Sequence, residues 1–225
     1  MFRDRTDAGR KLAEALQEYA ALKPLILALP RGGVPIGFEV AKALHAPLDV
    51  LVVRKIGAPW NPEFGVGAIA PGIQILDQPS LNALGLTASD LKGIIEEETL
   101  ELDRRVQAYR GKADFPNIVG KTVILIDDGL ATGITTRAAI EAVKKLKPAQ
   151  LILAVPVGPA DTVKYLSHLV DKLICLEIPS PFFAVGSFYN NFPQVSDKEV
   201  MDLLKLSPSF TSPLRGRGRP KGHCH

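Results

Sequence analysis

The chain has 225 residues, of which 46% are hydrophobic and 23% charged, the balance of one globular α/β-sized body rather than a disordered or fibrous chain. Two cysteines, Cys175 and Cys224, exclude a disulfide framework and suit a reduced cytoplasm, while no apolar run approaches the ~20 residues that cross a bilayer. The formal charge of +3 sits in the tail: without its four basic residues from Ser207 onward, 23 basic face 24 acidic residues, which argues against a nucleic-acid-binding body.

The start, Met1-Phe2-Arg3-Asp4-Arg5-Thr6-Asp7, is too charged for a secretory signal. Residues 3–22 read as a first helix. Thr6 or Asp7 can cap it, Leu12, Ala15, Leu16 and Tyr19 share one face, and Lys23-Pro24 stops it. Leu25-Ile26-Leu27-Ala28-Leu29 is wholly apolar, as in a strand buried on both faces of a parallel sheet. Pro30-Arg31-Gly32-Gly33-Val34-Pro35 follows, then a helix of about 36–44. Gly32 and Gly33 let a backbone approach a ligand closely and present bare N–H groups, and the Arg31 fork suits phosphate. The bland alternative is a tight strand-to-helix turn with a solvated arginine. Residues 48–53 read as the second strand of a βαβ unit, ending in the cations Arg54 and Lys55.

Residues 57–72 read as irregular. Gly65, Gly67 and Ala70 have the spacing of a dinucleotide fingerprint, but Pro71-Gly72 stands where its helix should open, so that reading is rejected. Residues 66–69 and 73–76 around Ala70-Pro71-Gly72 read as a hairpin. Trp60 and Phe64 read first as anchors of this loop and second as parts of a lid. Thr87-Ala88-Ser89-Asp90 opens a charged helix to Arg110, with acids toward its front, bases toward its end and pairs such as Glu101–Arg105.

The densest stretch is Val123-Ile124-Leu125-Ile126-Asp127-Asp128-Gly129-Leu130-Ala131-Thr132-Gly133-Ile134-Thr135-Thr136. Four β-formers predict a buried strand, and two carboxylates end it at the edge where open α/β sheets bind ligands. A helix from about Thr135 to Lys147 follows. The N–H groups of Thr132 to Thr136 at its start lack intrahelical partners and sit at the positive end of its dipole, a site for phosphate. Acids beside a phosphate cradle suit a ligand carrying both a phosphate and a ribose diol, directly or through Mg²⁺. An ordinary strand–turn–helix with an Asp-Asp-Gly turn is the bland alternative.

This stretch closely resembles the phosphoribosyl-diphosphate (PRPP) binding motif of the type I phosphoribosyltransferases, of which an uncharacterised branch also shows the ending Arg104-Arg105…Tyr109-Arg110-Gly111. The resemblance implies an α/β fold with a mainly parallel five-stranded sheet flanked by helices, a small hood and a helical insert. It implies that Asp127 and Asp128 hold the ribose hydroxyls and that Ala131, Thr132, Gly133, Ile134, Thr135 and Thr136 hold the 5′-phosphate. Arg31, Gly32 and Gly33 would form the diphosphate loop, where a cis peptide often exposes the amides, with Arg54 and Lys55 as further diphosphate cations and Lys55 preferred. Arg31, Lys55, Asp127 and Asp128 are then the catalytic candidates. Mg²⁺ would arrive with PRPP, with Asp127 and Asp128 as its protein ligands.

After the motif, residues 150–155 and 172–177 read as buried strands joined by a helix of about 161–170, on which His168 has no partner in view. Residues 179–194 hold five of the chain's fourteen aromatics. By the resemblance this is the hood, where Phe188 and Tyr189 are suited to stack on a base; a satellite apolar cluster explains them equally well. Ser196 caps a closing helix packed by Val200, Leu203 and Leu204. The expected organisation is one domain over 1–206, with a core of about 25–178, an insert of about 77–111 and a hood of about 179–206.

Residues 207–225 lack periodic apolar positions and are expected to be a disordered basic tail. Arg217-Gly218-Arg219-Pro220 weakly resembles an AT-hook core, not enough to expect nucleic acid as a partner. His223, Cys224 and His225 lack the spacing of a structural zinc site. The resulting expectation is a cytoplasmic, Mg²⁺-dependent enzyme of nucleotide metabolism, its oligomeric state left open, a homodimer being one option because its relatives are frequently dimers. It would transfer the phosphoribosyl group of PRPP to a base-like acceptor, displacing diphosphate through an oxocarbenium-like transition state. The alternative is a catalytically silent regulator of the same fold that senses PRPP or a nucleotide.

Overall fold

Strands with no polar face must pair inside a sheet covered on both sides. The computed structural model describes residues 1–111 and 115–207, so the AT-hook-like segment and Cys224 lie outside the described residues. The elements in chain order are α1 (Arg5–Ala15), β1 (Leu25–Ala28), α2 (Gly33–Leu44), β2 (Leu48–Val50), β3 (Arg54–Ala58), β4 (Asn61–Ala70) and β5 (Ile73–Leu76). They continue with α3 (Gln78–Leu84), α4 (Lys92–Arg110), β6 (Thr122–Ile126), α5 (Ile134–Lys145), β7 (Gln150–Val157), α6 (Ala160–Ser167), β8 (Lys172–Glu177) and α7 (Asp197–Leu206).

Five strands form one parallel sheet in the order β2-β1-β6-β7-β8, as expected. Alternation along each strand divides the core in two. Ile26, Ala28, Ile124, Ile126, Ile152 and Ala154 face α1, α2 and α7 on one side. Leu25, Leu27, Val123, Leu125, Leu151 and Leu153 face α5 and α6 on the other. Each fully buried aliphatic side chain contributes about 1.5–3 kcal/mol, so both faces are strongly specified and neither strand register can slip by one residue.

Three local expectations change. The first helix is α-helical only to Ala15, Gln17–Leu22 tightens into a 3₁₀ turn, and the cap is Asp4, whose side chain accepts from the Asp7 amide at 2.8 Å. The second core strand ends at Val50; Leu51, Val52 and Val53 stay buried while leaving the sheet. The region expected to be irregular is mostly strand, because β3, β4 and β5 form a separate antiparallel sheet. The turn at Ala70-Pro71-Gly72 falls where expected, with Gly72 at φ 72°.

The sheet order places the ligand edge. From β1 the chain moves outward to β2, whereas from β6 it moves the opposite way to β7 and β8. The crevice at the carboxyl ends of β1 and β6 is therefore the topological switch point of an open sheet, where such folds bind ligands.

Candidate active site

Ala28 and Ile126 are paired in register, so the residues after them leave the sheet side by side. The loop Pro30–Gly33 follows β1 and Asp127-Asp128 follows β6. A Cβ on Gly32 would lie 1.9 Å from Asp128 Oδ2, and one on Gly33 would lie 2.7 Å from the Ile126 carbonyl oxygen. Only glycines allow this approach. The Pro30–Arg31 peptide is cis, as the resemblance implies. Gly33 donates its amide to Leu29 O at 3.0 Å, which leaves the amides of Arg31 and Gly32 without acceptors among the described residues.

Asp127 and Asp128 differ in surroundings. Burial, then the neighbouring Asp128 charge, pushes the Asp127 carboxyl well above its ordinary range, opposed by a hydrogen bond from the Asp128 amide at 2.8 Å. Burial also raises Asp128, but Arg5 pulls it back, with Nε 2.9 Å and Nη2 2.8 Å from Oδ2. Arg5 escaped the sequence reading. Its signal was its place on the apolar face of α1, seven residues before Leu12, where a charge must find a partner.

Gly133, at φ 77°, is the N-cap of α5 and supplies no side-chain cap. The amides of Thr132 to Thr136 have no acceptor among the described residues; Arg137 is the first of this turn to donate, to Gly133 O at 2.8 Å. Thr162 Oγ1 donates to Ala131 O at 2.9 Å and fixes the loop's first carbonyl. A cavity of about 230 Å³ opens beside Thr132, Gly133 and Ile134. Its opposite wall is Glu63, Phe64 and Gly65 of β4, and it does not reach Asp127 or Arg31.

The cations are placed unequally. Arg31 Nη1 lies 3.8 Å from Asp197 Oδ1, at the start of α7. That carboxylate also accepts from Tyr109 Oη at 2.5 Å; burial first, and then this bond, push the tyrosine up to about 12. Arg54 and Lys55 both line one cavity of about 470 Å³ between β3 and α4, but different groups engage them. Arg54 pairs with Glu98 of α4 at 2.6 Å. The Lys55 stem passes Gly65, near Ile134, and its Nζ donates to Glu63 O at 3.0 Å. Arg54 is thus engaged by the α4 insert, and Lys55 by the β4 hairpin.

Phe188 and Tyr189 also separate. Tyr189 is only 6% exposed, packs 4.7 Å from Phe192 and 5.4 Å from Phe2, and donates to the Asp128 carbonyl at 2.7 Å. This corrects the expectation that it stacks on a ligand ring: it is a buried prop beneath the acids. Phe188 lies 5.4 Å from Phe182 in a near-parallel pair, and Val185 closes on Gly129. Trp60 is 63% exposed and Phe64 45% exposed on the β3–β4 hairpin, so neither anchors it; this too is a correction. The His168 ring meets the Lys164 carbonyl at 2.7 Å, within its own helix end.

Comparison with known proteins places the chain in a family. The family model for the phosphoribosyl transferase domain matches residues 4–190. The chain belongs to this family. It is 42% identical over 205 residues to the Mycobacterium tuberculosis (strain H37Rv) protein named "Putative phosphoribosyl transferase Rv0571c", a match covering 91% of this chain and 46% of that protein. The chain thus spans about half the length of the curated relatives it matches. The crystal structure of TT1426 from Thermus thermophilus is similar with a TM-score of 0.73 at 38% identity, over 90% of this chain and 97% of that one. The expected family and fold both hold. No helix among the described residues is long and apolar enough to cross a membrane.

Proposed function

We propose that this phosphoribosyltransferase binds PRPP with Mg²⁺ and transfers its phosphoribosyl group to a base-like acceptor, releasing diphosphate. One observation carries the reading: the diphosphate-loop glycine Gly32 abuts the carboxylate of Asp128. Two loops far apart in sequence thereby form one crevice at the switch point. The unpartnered amides of Thr132–Thr136 receive the 5′-phosphate. Asp127 and Asp128 accept from the ribose hydroxyls. Arg31 and the amides of Arg31 and Gly32 take the diphosphate, with Lys55 as the second cation.

The residues fit the metal. No cluster of three acidic, histidine or cysteine ligands exists among the described residues, so the protein offers no cage. Asp127 is a buried carboxylate with no ion pair among the described residues, and its raised pKa marks a place where a cation is welcome. Mg²⁺ is commonly held this way, by one or two carboxylates plus substrate phosphates. When bound it supplies positive charge to the leaving diphosphate. The chain's own residues do the rest. The α5 amides and the acids fix both ends of the ribose phosphate, which holds the anomeric carbon still for attack by an acceptor nitrogen. Arg31 and Lys55 offset charge as it collects on the departing diphosphate.

Titration calorimetry with PRPP tests this reading, and saturable binding that strengthens with Mg²⁺ is expected. Diphosphate release from a panel of bases then separates the enzyme from a silent sensor, which binds and never releases. No binding of PRPP under either condition sinks the proposal. A second measurement follows the β3–β4 hairpin. Trp60 is the chain's single tryptophan and exposed on that hairpin, so PRPP should shift its emission to shorter wavelength if the hairpin closes. Unchanged emission at saturating PRPP would mean that the hairpin does not cover the ligand.

A further inference from the structure

One guanidinium from the first turn of α1 reaches into the acid motif. Arg5 places both Nε and Nη2 on a single oxygen, Asp128 Oδ2, at 2.9 and 2.8 Å. Its remaining nitrogen, Nη1, donates to the Pro193 carbonyl at 2.7 Å, and the guanidinium carbon lies 3.8 Å from the centre of the Phe192 ring. A single buried cation therefore holds both the end of β6 and the segment after β8.

Asp128 is fixed from two further directions. Its Oδ2 lies against Gly32, where even one methyl group would collide. Its carbonyl accepts from Tyr189 Oη at 2.7 Å. Oδ2 and the backbone are thus committed, whereas Oδ1 has no protein donor among the described residues. The geometry points to Arg5 as a positioning residue for phosphoribosyl substrates. By holding Oδ2 it leaves Oδ1 as the atom that meets a ribose hydroxyl, and by holding Pro193 and Phe192 it ties that segment to the same carboxylate. The arrangement needs arginine, because a rigid planar fork makes all three contacts and an ammonium cannot. This inference rests on the PRPP reading above. Its rival is that Arg5 merely staples α1 to the sheet.

The two differ in which ligands feel the loss. Ribose 5-phosphate and inorganic phosphate share the α5 amides, but only the sugar phosphate has hydroxyls for Asp128. In calorimetric titrations of the full chain with Mg²⁺, Arg5→Met should weaken PRPP and ribose 5-phosphate about 10–100-fold, the usual penalty for losing a partner that orients a ligating side chain. Inorganic phosphate should change by less than about twofold, since the helix-terminal site is untouched. Arg3→Met removes the same charge from an exposed side chain that pairs with Asp7, and should leave all three ligands unchanged. Arg5→Lys should fall between wild type and Arg5→Met; it keeps the charge, and so gives the same readout if Arg5→Met does not fold.

On an Asp128→Asn background, Arg5→Met should add no further loss, because the residue acts through that carboxylate. Equal weakening of phosphate and sugar phosphate, or full additivity with Asp128→Asn, assigns Arg5 to the staple and overturns the inference. Wild-type binding of PRPP that Arg5→Met leaves unchanged overturns the inference alone. No PRPP binding by the wild-type chain overturns the proposed function and this inference with it.

Discussion

Replacing Asp127 and Asp128 together by asparagine is expected to remove the PRPP binding proposed above and to leave the fold intact. Two charge-assisted hydrogen bonds to hydroxyls, at about 1.5–3 kcal/mol each, amount to a loss of at least roughly a hundredfold in affinity. The single changes act on stability in opposite directions. Asp127 is buried beside a like charge, so Asp127→Asn relieves a cost and raises the melting temperature, by roughly 2–4 °C for each 1 kcal/mol recovered in a chain of this size. Asp128→Asn instead deprives buried Arg5 of its counter-charge, and lowers stability by about 1–3 kcal/mol.

The pH dependence fixes the sign. The Asp127 carboxyl is held above its ordinary value of 3.8, so the native state binds that proton more tightly than the unfolded state does. The penalty is absent below the ordinary value, grows as pH rises and is complete above the raised native value. The Asp127→Asn variant should therefore match wild type near pH 3–4 and out-melt it increasingly toward pH 8. Calorimetric melts across that range decide it. A variant that melts below wild type at pH 8 would reveal a cationic partner for Asp127 and remove it as the place for Mg²⁺ or a diol.

The legible parts of this molecule are those whose physics is local. Leu25–Leu29 and Val123–Ile126 announce buried parallel strands because burial on both faces leaves no room for a polar residue. Asp127 to Thr136 announces an anion site because a helix start exposes amides whatever surrounds it. The β4–β5 turn was legible through Pro71-Gly72, but β3–β4 was hidden. Its strands carry Gly57, Pro62, Gly65 and Gly67, residues depleted from strands, and Gly57 and Gly67 are required because Cβ atoms there would meet the backbone of Pro62 and Ile75.

Long-range partners were not legible at all. Nothing near Arg5 names Asp128, and nothing near Tyr189 says that its hydroxyl will hold a carbonyl at the end of β6. The strand boundary beside Arg54-Lys55 was misread. Placed at the end of a strand, both cations could face the ligand edge; placed at the start of β3, Arg54 is claimed by Glu98 of the insert and Lys55 by Glu63 of the β4 hairpin.

The second large effect is expected from a single methyl group at the diphosphate loop. A Cβ at Gly33 would lie 2.7 Å from the Ile126 carbonyl oxygen and 3.0 Å from the Asp127 Cα. Both are backbone atoms, one at the end of β6 and one just after it, and neither can rotate away. Gly33→Ala must therefore push the loop off the end of β6, stretching the Gly33-to-Leu29 bond and parting the two halves of the crevice. Overpacking of this kind costs about 1–3 kcal/mol, and PRPP affinity should fall with it. Gly32→Ala is different, because its methyl meets the Asp128 carboxylate, a side chain that can swing away if it releases Arg5. Its affinity loss should resemble that of Asp128→Asn, with a smaller change in melting temperature than Gly33→Ala. Gly93, in α4, has open space within 4 Å of where a Cβ would stand and no positive φ, so Gly93→Ala should stabilise by roughly 0.5–1 kcal/mol and leave binding alone. Thermal melts and PRPP titrations of the three variants measure the contrast. A Gly33→Ala protein with wild-type stability and affinity would mean that the loop does not abut β6, and the crevice between β1 and β6 would lose its claim to the substrate.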